Sequence, residues 1–336
     1  TIRRYYRDWY RPDLQAVVAV GDFTAGEMIA RIEELFGAIP AREDPRPREN
    51  PPVPLDHAPL ARVTTDAEAT RTTVDVMWKH APDTATTVAD LDDQLTLDLA
   101  LDMLRQRLAE RAQEADPPFA MAFGGDRRQV RTMSALAFTA ITEEGKAVRA
   151  LEALATELAR VRRHGFTTGE LERARARTLR QLERQLQEGD KTESRRWAFR
   201  YMRHALYGGP LLSAEASLQY GRHLLPRISP DAASAALTAR LAGGGQVVTV
   251  SGPEKPGLVW PDEQELVDTF AAAMARDVAP YTDAAVDAPL VAGPPAPVDI
   301  VARGEDPELG TTTWTLANGV RVVIRPTDFK NDEILF

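Results

Sequence analysis

The pattern of apolar and polar positions predicts a chain that mixes strands with helices. Residues 71–79 alternate apolar with polar side chains and are rich in β-branched residues, which is typical of a strand. Residues 88–114 carry two leucine stripes at helical spacing, which predicts a helix with a wide apolar arc that is buried on most sides. This helix should end by Pro117-Pro118, because proline supplies no amide donor.

The pattern of apolar and polar positions also predicts strands and helices in the middle of the chain. Two strands are predicted at 119–123 and 130–141, joined by a turn around Gly124-Gly125-Asp126. Gly165 is placed to end a helix over 144–164, and Thr167 or Thr168 can cap the helix that follows. Further helices are predicted over 192–207, 213–224 and 230–241, before a strand at 247–251. This order favours an α+β fold, a mostly antiparallel sheet with helices packed on one face.

One supersecondary unit occurs twice. A strand at 14–20 ends in the turn at Gly21 and precedes a helical run over 27–36, and the segment 245–251 ends at Gly252 and precedes a helical run over 263–274. Such a unit cannot bury both faces alone, so its recurrence predicts a duplicated domain. The first copy stands almost at the N-terminus, and we therefore expect the chain to begin inside one domain and end inside another.

Two proline-rich segments set the predicted domain boundaries. Residues 41–59 and 276–310 combine prolines with few buriable side chains and read as extended linkers. They separate the end of a preceding domain (1–40), a complete non-catalytic α+β domain (60–275) and the opening hairpin of a third domain (311–336). In that hairpin, Asn318-Gly319 suits a two-residue turn. Because its strand edges lack their own sheet, we expect the hairpin to pack on this chain or a neighbouring copy.

Composition narrows the classes of partner. The formal net charge of −9 disfavours nucleic acid, and the chain has no apolar stretch long enough to span a bilayer. Cysteine is absent, which excludes disulfides, thiolate metal sites and cysteine nucleophiles. Arginines between 173 and 203 are interleaved with glutamates, and this pattern is typical of a solvated helix face.

Motifs that would carry catalysis are missing from the sequence. The five histidines are His57, His80, His164, His204 and His223, and no two have the spacing that places metal ligands on one helix face. The sequence contains neither a G-x-S-x-G elbow nor a phosphate-binding loop. The residues alone therefore predict no catalytic residue and no metal site, and indicate an interaction or support domain of a larger protein.

Several segments in order resemble the pitrilysin/insulinase family of zinc metallopeptidases, in particular its long bacterial members with four similar domains. The resemblance lies in residues 10–23, 36–40, 99–111, 165–174 and the hairpin 314–325. It implies a metallohydrolase-like fold and a periplasmic parent protein. In this family an inverted H-x-x-E-H helix and a downstream glutamate hold zinc in the first domain. The resemblance thus implies that the parent protein binds zinc through its first domain and that this chain binds no zinc.

Family members also use an arginine and a tyrosine of a later domain to hold the substrate. By resemblance the matching positions are Arg111 and Phe119, which are our candidates for contact with substrate in the chamber. Phe119 has no hydroxyl and cannot donate a hydrogen bond, which favours a core role.

The leading hypothesis is a non-catalytic, chamber-forming portion of a zinc metalloendopeptidase, inactive and zinc-free by itself. Its implied partners are the remaining domains of the polypeptide and peptide substrates, which the family binds as an added strand. Two alternatives stay open: a scaffold or processing-partner homologue without peptidase activity, and an independent binding module.

Overall fold

The computed structural model describes residues 1–283, 291, 293–330 and 334–336. The N-terminal part contains two helices, α1 (Ile2–Trp9) and α2 (Ala25–Phe36). The central body contains five strands and seven helices in the order β1 (Leu60–Asp66), β2 (Thr72–His80), α3 (Val88–Arg111), β3 (Met121–Val130), β4 (Met133–Thr142), α4 (Ala147–His164), α5 (Thr168–Gln187), α6 (Ser194–Tyr207), α7 (Ala214–Leu224), α8 (Pro230–Leu241), β5 (Gln246–Pro253) and α9 (Glu263–Ala275). The C-terminal part contains β6 (Ile300–Asp306), β7 (Thr311–Leu316) and β8 (Arg321–Ile324).

The central sheet has the strand order β1-β5-β2-β4-β3. Strands β2, β3, β4 and β5 pair antiparallel, whereas β1 runs parallel to β5 from Leu60 opposite Val247. The α+β class and the mostly antiparallel sheet are confirmed, with the correction that the sheet is mixed. Strand β1 itself was not predicted, although Leu60, Val63 and the threonines that follow carry a weak strand pattern.

The hydrophobic core lies between one face of this sheet and helices α3, α4, α8 and α9. On β2 the side chains of Val74, Val76 and Trp78 are buried, while the alternate residues are only half-buried. Trp78 packs against Phe270 of α9 with ring centroids 5.8 Å apart. Each fully buried side chain of this kind contributes roughly 1.5–3 kcal/mol. The prediction of helices on one face is confirmed, and the other face of the sheet is left more open.

Local capping explains where the central helices begin and end. Thr87 and Asp90 form a reciprocal capping box at the start of α3, and Thr167 and Glu170 form another at the start of α5. Gly165 ends α4 with φ +66° and ψ −157°, a backbone conformation that is essentially restricted to glycine. The sequence therefore predicted these boundaries, with Thr167 chosen over Thr168.

The turn predicted at Gly124-Gly125-Asp126 is wrong, because all three residues lie inside strand β3. Gly124 pairs with Phe138 on β4, and the chain reverses at residues 131 and 132. A Cβ atom on Gly124 would collide with the Phe138 ring and lie 2.7 Å from the carbonyl oxygen of Ala137. The glycine is needed for close packing across the strands rather than for a turn.

The strand predicted at 14–20 is also not formed. Gln15 is extended, with φ −112° and ψ 147°, but the segment pairs with no other strand in the described part of the chain. A strand requires a hydrogen-bonded neighbour, which residues 1–40 do not supply. The helix after it does form, as α2, but neither α1 nor α2 buries a residue.

The predicted linker 276–310 is shorter than expected. Residues 276–283, which we call the strap, fold back over α3, α4 and α5, and Val278 is buried. Arg160 and His164 on α4 hydrogen-bond the strap carbonyls of Ala279 and Val278 at 3.0 and 2.7 Å. Residues 284–290 and 292 of the predicted linker lie outside the described residues, and β6 occupies its far end. The domain division itself stays a prediction.

The C-terminal hairpin forms as predicted but with a different turn. Strand β7 pairs antiparallel with both β6 and β8, so the hairpin is part of a three-stranded sheet. The predicted two-residue turn needs positive φ at both of its residues. Gly319 has φ +85°, but Asn318 does not have a positive φ, because only glycines do among the described residues. The connection is therefore a loop of residues 317–319 with glycine last, rather than a two-residue turn. Beyond the hairpin, Lys191 donates to the Asp328 carbonyl at 2.8 Å.

Candidate functional site

The open face of the central sheet carries a mixed set of polar and apolar side chains. Thr73 and Ser251 hydrogen-bond across the β2 and β5 strands at 2.7 Å, and Thr139 donates to Asp75. At the β3 edge, Met121 and Phe123 are 53% and 45% exposed. Within the described residues strand β3 has a neighbour only on the β4 side, so its other edge offers backbone donors and acceptors. A surface of this kind can accept an extended polypeptide.

Arg111, the first of the two resemblance candidates, is the last residue of α3. Its side chain is 34% exposed and forms an ion pair with Glu114 at 2.8 Å and a longer contact with Glu157 at 3.9 Å. Glu157 is only 1% exposed and also pairs with Arg160. Arg111 therefore lies at the border of the core, held by two carboxylates.

Phe119, the second candidate, is 1% exposed and belongs to the hydrophobic core cluster. Its burial fits a packing side chain, and among the described residues no hydrogen bond, ion pair or ring contact joins it to Arg111. Phe119 precedes β3, and the following residue, Ala120, donates its amide to the Ile141 carbonyl at 2.8 Å. The side chain thus helps to anchor the start of the edge strand.

The histidines do not assemble into one site. His164 is the last residue of α4 and His80 is the last residue of β2. His57, His164 and His204 each hydrogen-bond a nearby backbone carbonyl at 2.6–2.7 Å. His80 also has a backbone carbonyl nearby, that of Ala81 at 2.7 Å from its Nδ1, but its ring nitrogens face charged side chains as well.

His80 belongs to an ionic cluster at the end of β2 that the sequence analysis missed. Its Nε2 lies 2.8 Å from Asp126 on β3, and Asp83 and Asp126 place their oxygens within 4.8 Å of the ring nitrogen. The hydrogen bond to Asp126 raises the pKa of His80 above its ordinary value, although partial burial opposes the shift. No local pattern in the amino-acid sequence signals this cluster, because its members lie on separate elements.

The position of Arg240 decides whether this cluster could hold the zinc that the family resemblance implies. Arg240 on α8 lies among the three residues: its Nε is 3.1 Å from Asp126, its Nη2 pairs with Asp83, and its Nη1 is 3.2 Å from the His80 ring. The guanidinium thus already supplies the positive charge that the two carboxylates require. A zinc ion would need this space and would meet strong repulsion from Arg240. The residues present do not fit zinc.

A second buried ionic group joins three helices and the strap. Arg107 on α3 is 1% exposed and donates two hydrogen bonds to Glu170 on α5, at 2.6 and 2.9 Å, and one to the Gly165 carbonyl at 2.9 Å. Tyr281 of the strap covers the guanidinium, 4.3 Å from its ring centroid. A buried arginine held in this way is a structural joint rather than a reactive group.

Comparison with known proteins decides the family. The model of the peptidase M16 inactive domain matches residues 1–178, more than half of the chain. This chain belongs to the peptidase M16 family. The resemblance to the pitrilysin/insulinase zinc metallopeptidases is thereby confirmed, and the matched region is the inactive type of M16 domain.

Two curated relatives are much longer than this M16 chain. The zinc protease PQQL-like of Arabidopsis thaliana is 27% identical over 345 residues, which cover 100% of this chain and 32% of the relative. The probable zinc protease PqqL of Escherichia coli K12 is 23% identical over 231 residues, or 68% of this chain and 24% of the relative. This chain thus spans about a third or less of the length of these relatives.

Solved structures confirm the M16 fold. The periplasmic protease PqqL from Escherichia coli superimposes with a TM-score of 0.71 at 19% identity, covering 96% of this chain and 36% of that protein. An insulinase family protease from Yersinia pestis gives a TM-score of 0.67 at 17% identity, covering 81% and 58%. The similarity shows the architecture that the sequence predicted. No helix in the described part of the chain is long and apolar enough to cross a membrane.

Proposed function

We propose that this chain is a non-catalytic, chamber-forming portion of a zinc metalloendopeptidase that degrades or processes peptides. The observation that carries the proposal is the match of residues 1–178 to the inactive M16 domain, in a sequence that contains no H-x-x-E-H motif. Both curated relatives are zinc proteases by name, and both are longer than this chain. By resemblance to PqqL, the parent protein would be periplasmic.

The zinc would be held by another domain of the parent protein. The His80 cluster does not fit the ion, because Arg240 lies within it. The activity of the whole protein therefore requires a domain with its own histidines and glutamate. When bound there, zinc would polarise the attacking water, and this chain would contribute walls and peptide contacts.

The N-terminal 40 residues would complete the preceding domain. The extended segment 15–20 would enter the sheet of that domain, and the apolar side chains of α1 and α2 would be covered by it. Tyr5, Ile29 and Leu35 are 56–61% exposed here, more than a finished domain usually leaves open. The sheet of β6, β7 and β8 would likewise begin the next domain.

Peptides would lie along the open sheet face and the free edge of β3. Backbone hydrogen bonds to an edge strand do not depend on side-chain identity, which suits an enzyme that acts on many sequences. Of the two chamber candidates, Arg111 keeps exposed surface, whereas Phe119 contributes packing beneath the edge strand.

The experiment is to read the gene upstream of residue 1 and to assay the full-length protein. We expect an H-x-x-E-H motif with a glutamate several tens of residues later, and zinc-dependent hydrolysis of unfolded peptides. Replacing the glutamate of that motif by glutamine is the matched control and should abolish hydrolysis. An upstream sequence without the motif would contradict the proposal and favour a scaffold homologue.

A further inference from the structure

Helix α6 is amphipathic, and its apolar side chains are left partly exposed within the described residues. It buries none of its 14 residues. Most of its aromatic and aliphatic side chains share one broad side of the helix. Five apolar side chains of α6 are 39–49% exposed, namely Phe199, Tyr201, Met202, Leu206 and Tyr207. An isolated helix of this length is marginal in water, so α6 needs a partner to hold its conformation.

The opposite side of α6 is strongly basic. Arg196 and Arg203 are exposed and lie on the polar arc, while Arg195 and Arg200 stack over the rings of Phe199 and Trp197 at 5.5 and 5.4 Å. Residues 191–207 contain five cationic side chains and only Glu193 of opposite sign, in a chain whose net charge is −9. Arg195, Arg196 and Arg203 are exposed, which agrees with the expectation of a solvated helix face.

The basic surface extends onto the end of β3 and the turn that follows it, which carry Arg128 and Arg131. Arg128 and Arg131 lie over the ring of Tyr207 at 4.8 and 5.9 Å, and Arg131 donates to the Leu206 carbonyl at 3.3 Å. We call α6 together with these two arginines the α6 surface. None of its six arginines forms an ion pair with a carboxylate within the described ranges, whereas Arg107, Arg173 and Arg177 in the body each do.

We propose that the α6 surface binds polypeptide segments in which acidic side chains alternate with apolar or aromatic ones. Unpaired guanidinium groups would take the carboxylates, in bidentate geometry where the fork allows it. The half-exposed rings beside them would take the apolar side chains. Arginine, tyrosine, tryptophan, phenylalanine and methionine are the residues that are enriched where proteins recognise one another.

The chemistry favours a transient polypeptide over a permanent domain contact. A permanent interface would have to strip water from six guanidinium groups, at a cost that apolar contacts would only partly offset. Its central residues would also be depleted in charge. The stacking of Arg195 and Arg200 over the aromatic rings instead keeps those rings at a wet surface.

An anionic bilayer is the less favoured occupant. Membrane-surface helices insert an uninterrupted apolar side, whereas here guanidinium groups cover three of the aromatic rings. The net charge of −9 on the whole chain would also oppose approach to an anionic surface. The claim that the bound polypeptide is a substrate rests on the proposed function. The claim that the α6 surface binds such a polypeptide does not depend on it.

The test uses the whole 336-residue chain and a short fluorescein-labelled peptide of repeating Glu-Tyr-Glu-Leu units. Peptides with glutamine or lysine in place of glutamate are the controls, and binding is followed by fluorescence anisotropy. We expect the glutamate peptide to bind at least about tenfold more tightly than the glutamine peptide, with affinity that falls as salt is added.

Two variants localise the binding. Arg196→Glu with Arg203→Glu should weaken binding of the glutamate peptide at least about tenfold. Arg42→Glu with Arg48→Glu, in the exposed segment 41–50, makes the same change in net charge and should leave binding within about twofold. Phe199→Ser should weaken the glutamate and glutamine peptides alike. Circular dichroism checks that every variant keeps its helix content.

Three results would overturn the proposal. The first is a failure of the charge test, seen either as equal affinity for the glutamate and glutamine peptides or as unchanged binding after the Arg196/Arg203 reversal. Another is tighter binding of phosphatidylglycerol vesicles than of the peptide through the same two arginines. The third is a dimer, seen by sedimentation, that the same reversal dissociates.

The full-length protein separates this proposal from the proposed function. If it binds the glutamate peptide but hydrolyses no peptide, the proposed function fails and the binding surface stands. If it hydrolyses the glutamate and glutamine peptides with equal kcat/KM, and the Arg196/Arg203 reversal changes neither value, the α6 surface proposal fails and the proposed function stands.

Discussion

Glu170→Gln is the substitution that tests the internal architecture most sharply. The change keeps the size of the side chain but removes the negative charge opposite Arg107, which is 1% exposed. Arg107 would remain charged, because guanidinium does not lose its proton in proteins. Removing one partner of a buried ion pair costs about 3–5 kcal/mol, because the other charge is left without compensation.

The loss is large relative to the stability of an ordinary domain, which is about 5–15 kcal/mol. For a body of this size each kcal/mol lowers the melting temperature by roughly 2–4 °C, so we expect a fall of about 6–20 °C. Thermal unfolding followed by circular dichroism measures it. The effect should fall on the whole central body, because Arg107 and Glu170 join α3 to α5, and Tyr281 of the strap covers them.

Asp102→Asn is the matched control. Asp102 also pairs with an arginine of α5, Arg177 at 2.7 Å, but the two side chains are 29% and 33% exposed. Exposed pairs are worth about 0–1 kcal/mol, so this variant should lose at most about 4 °C. The reasoning is refuted if Glu170→Gln and Asp102→Asn melt at the same temperature.

Two further predictions concern packing and pH. Gly124→Val should lower stability by about 1–3 kcal/mol, because its Cβ would meet Phe138, whereas Gly125→Val, which has open space apart from a side-chain atom 3.9 Å away, should change it little in urea unfolding. For His80, the bond to Asp126 raises the folded pKa above 6.5, so the stabilisation is complete below about pH 6.5 and is lost as pH rises through the folded pKa. The urea midpoint should therefore fall as the pH rises above about 6.5, and His80→Gln should flatten this dependence; a wild-type midpoint that rises with pH would count against it.

Local signals in the sequence predicted the elements that local physics determines. The capping residue Thr167, the terminal glycine Gly165 and the leucine stripes of α3 act within a few residues of themselves, so the boundaries they imply agree with the structure. The fold class follows from the order of those elements.

Features that depend on distant partners were not predictable. Gly124 looks like a turn residue until Phe138 is placed opposite it. Segment 15–20 has the composition of a strand and lacks only a neighbour. Tyr281 lies in a proline-rich stretch that reads as a linker, and its contact with Arg107 becomes visible only when α3 and α5 are packed together.

The candidate site likewise has some features that the sequence predicts and others that depend on distant partners. The absence of a zinc motif can be read from the sequence, and the family match agrees with an inactive domain. The cluster of His80, Asp126 and Arg240 could not be foreseen, because its members come from β2, β3 and α8. The basic side of α6 was visible as a run of arginines, but only the structure shows that the neighbouring glutamates do not pair with it.

Zinc titration of the purified chain at neutral pH tests the central claim most directly. Isothermal calorimetry of metal-stripped protein, with zinc content measured after dialysis, reports whether a site exists. We predict that zinc stays substoichiometric and that no peptide is hydrolysed, because Arg240 lies where the ion would have to bind. One tightly bound zinc per chain that is lost in His80→Ala would contradict the account.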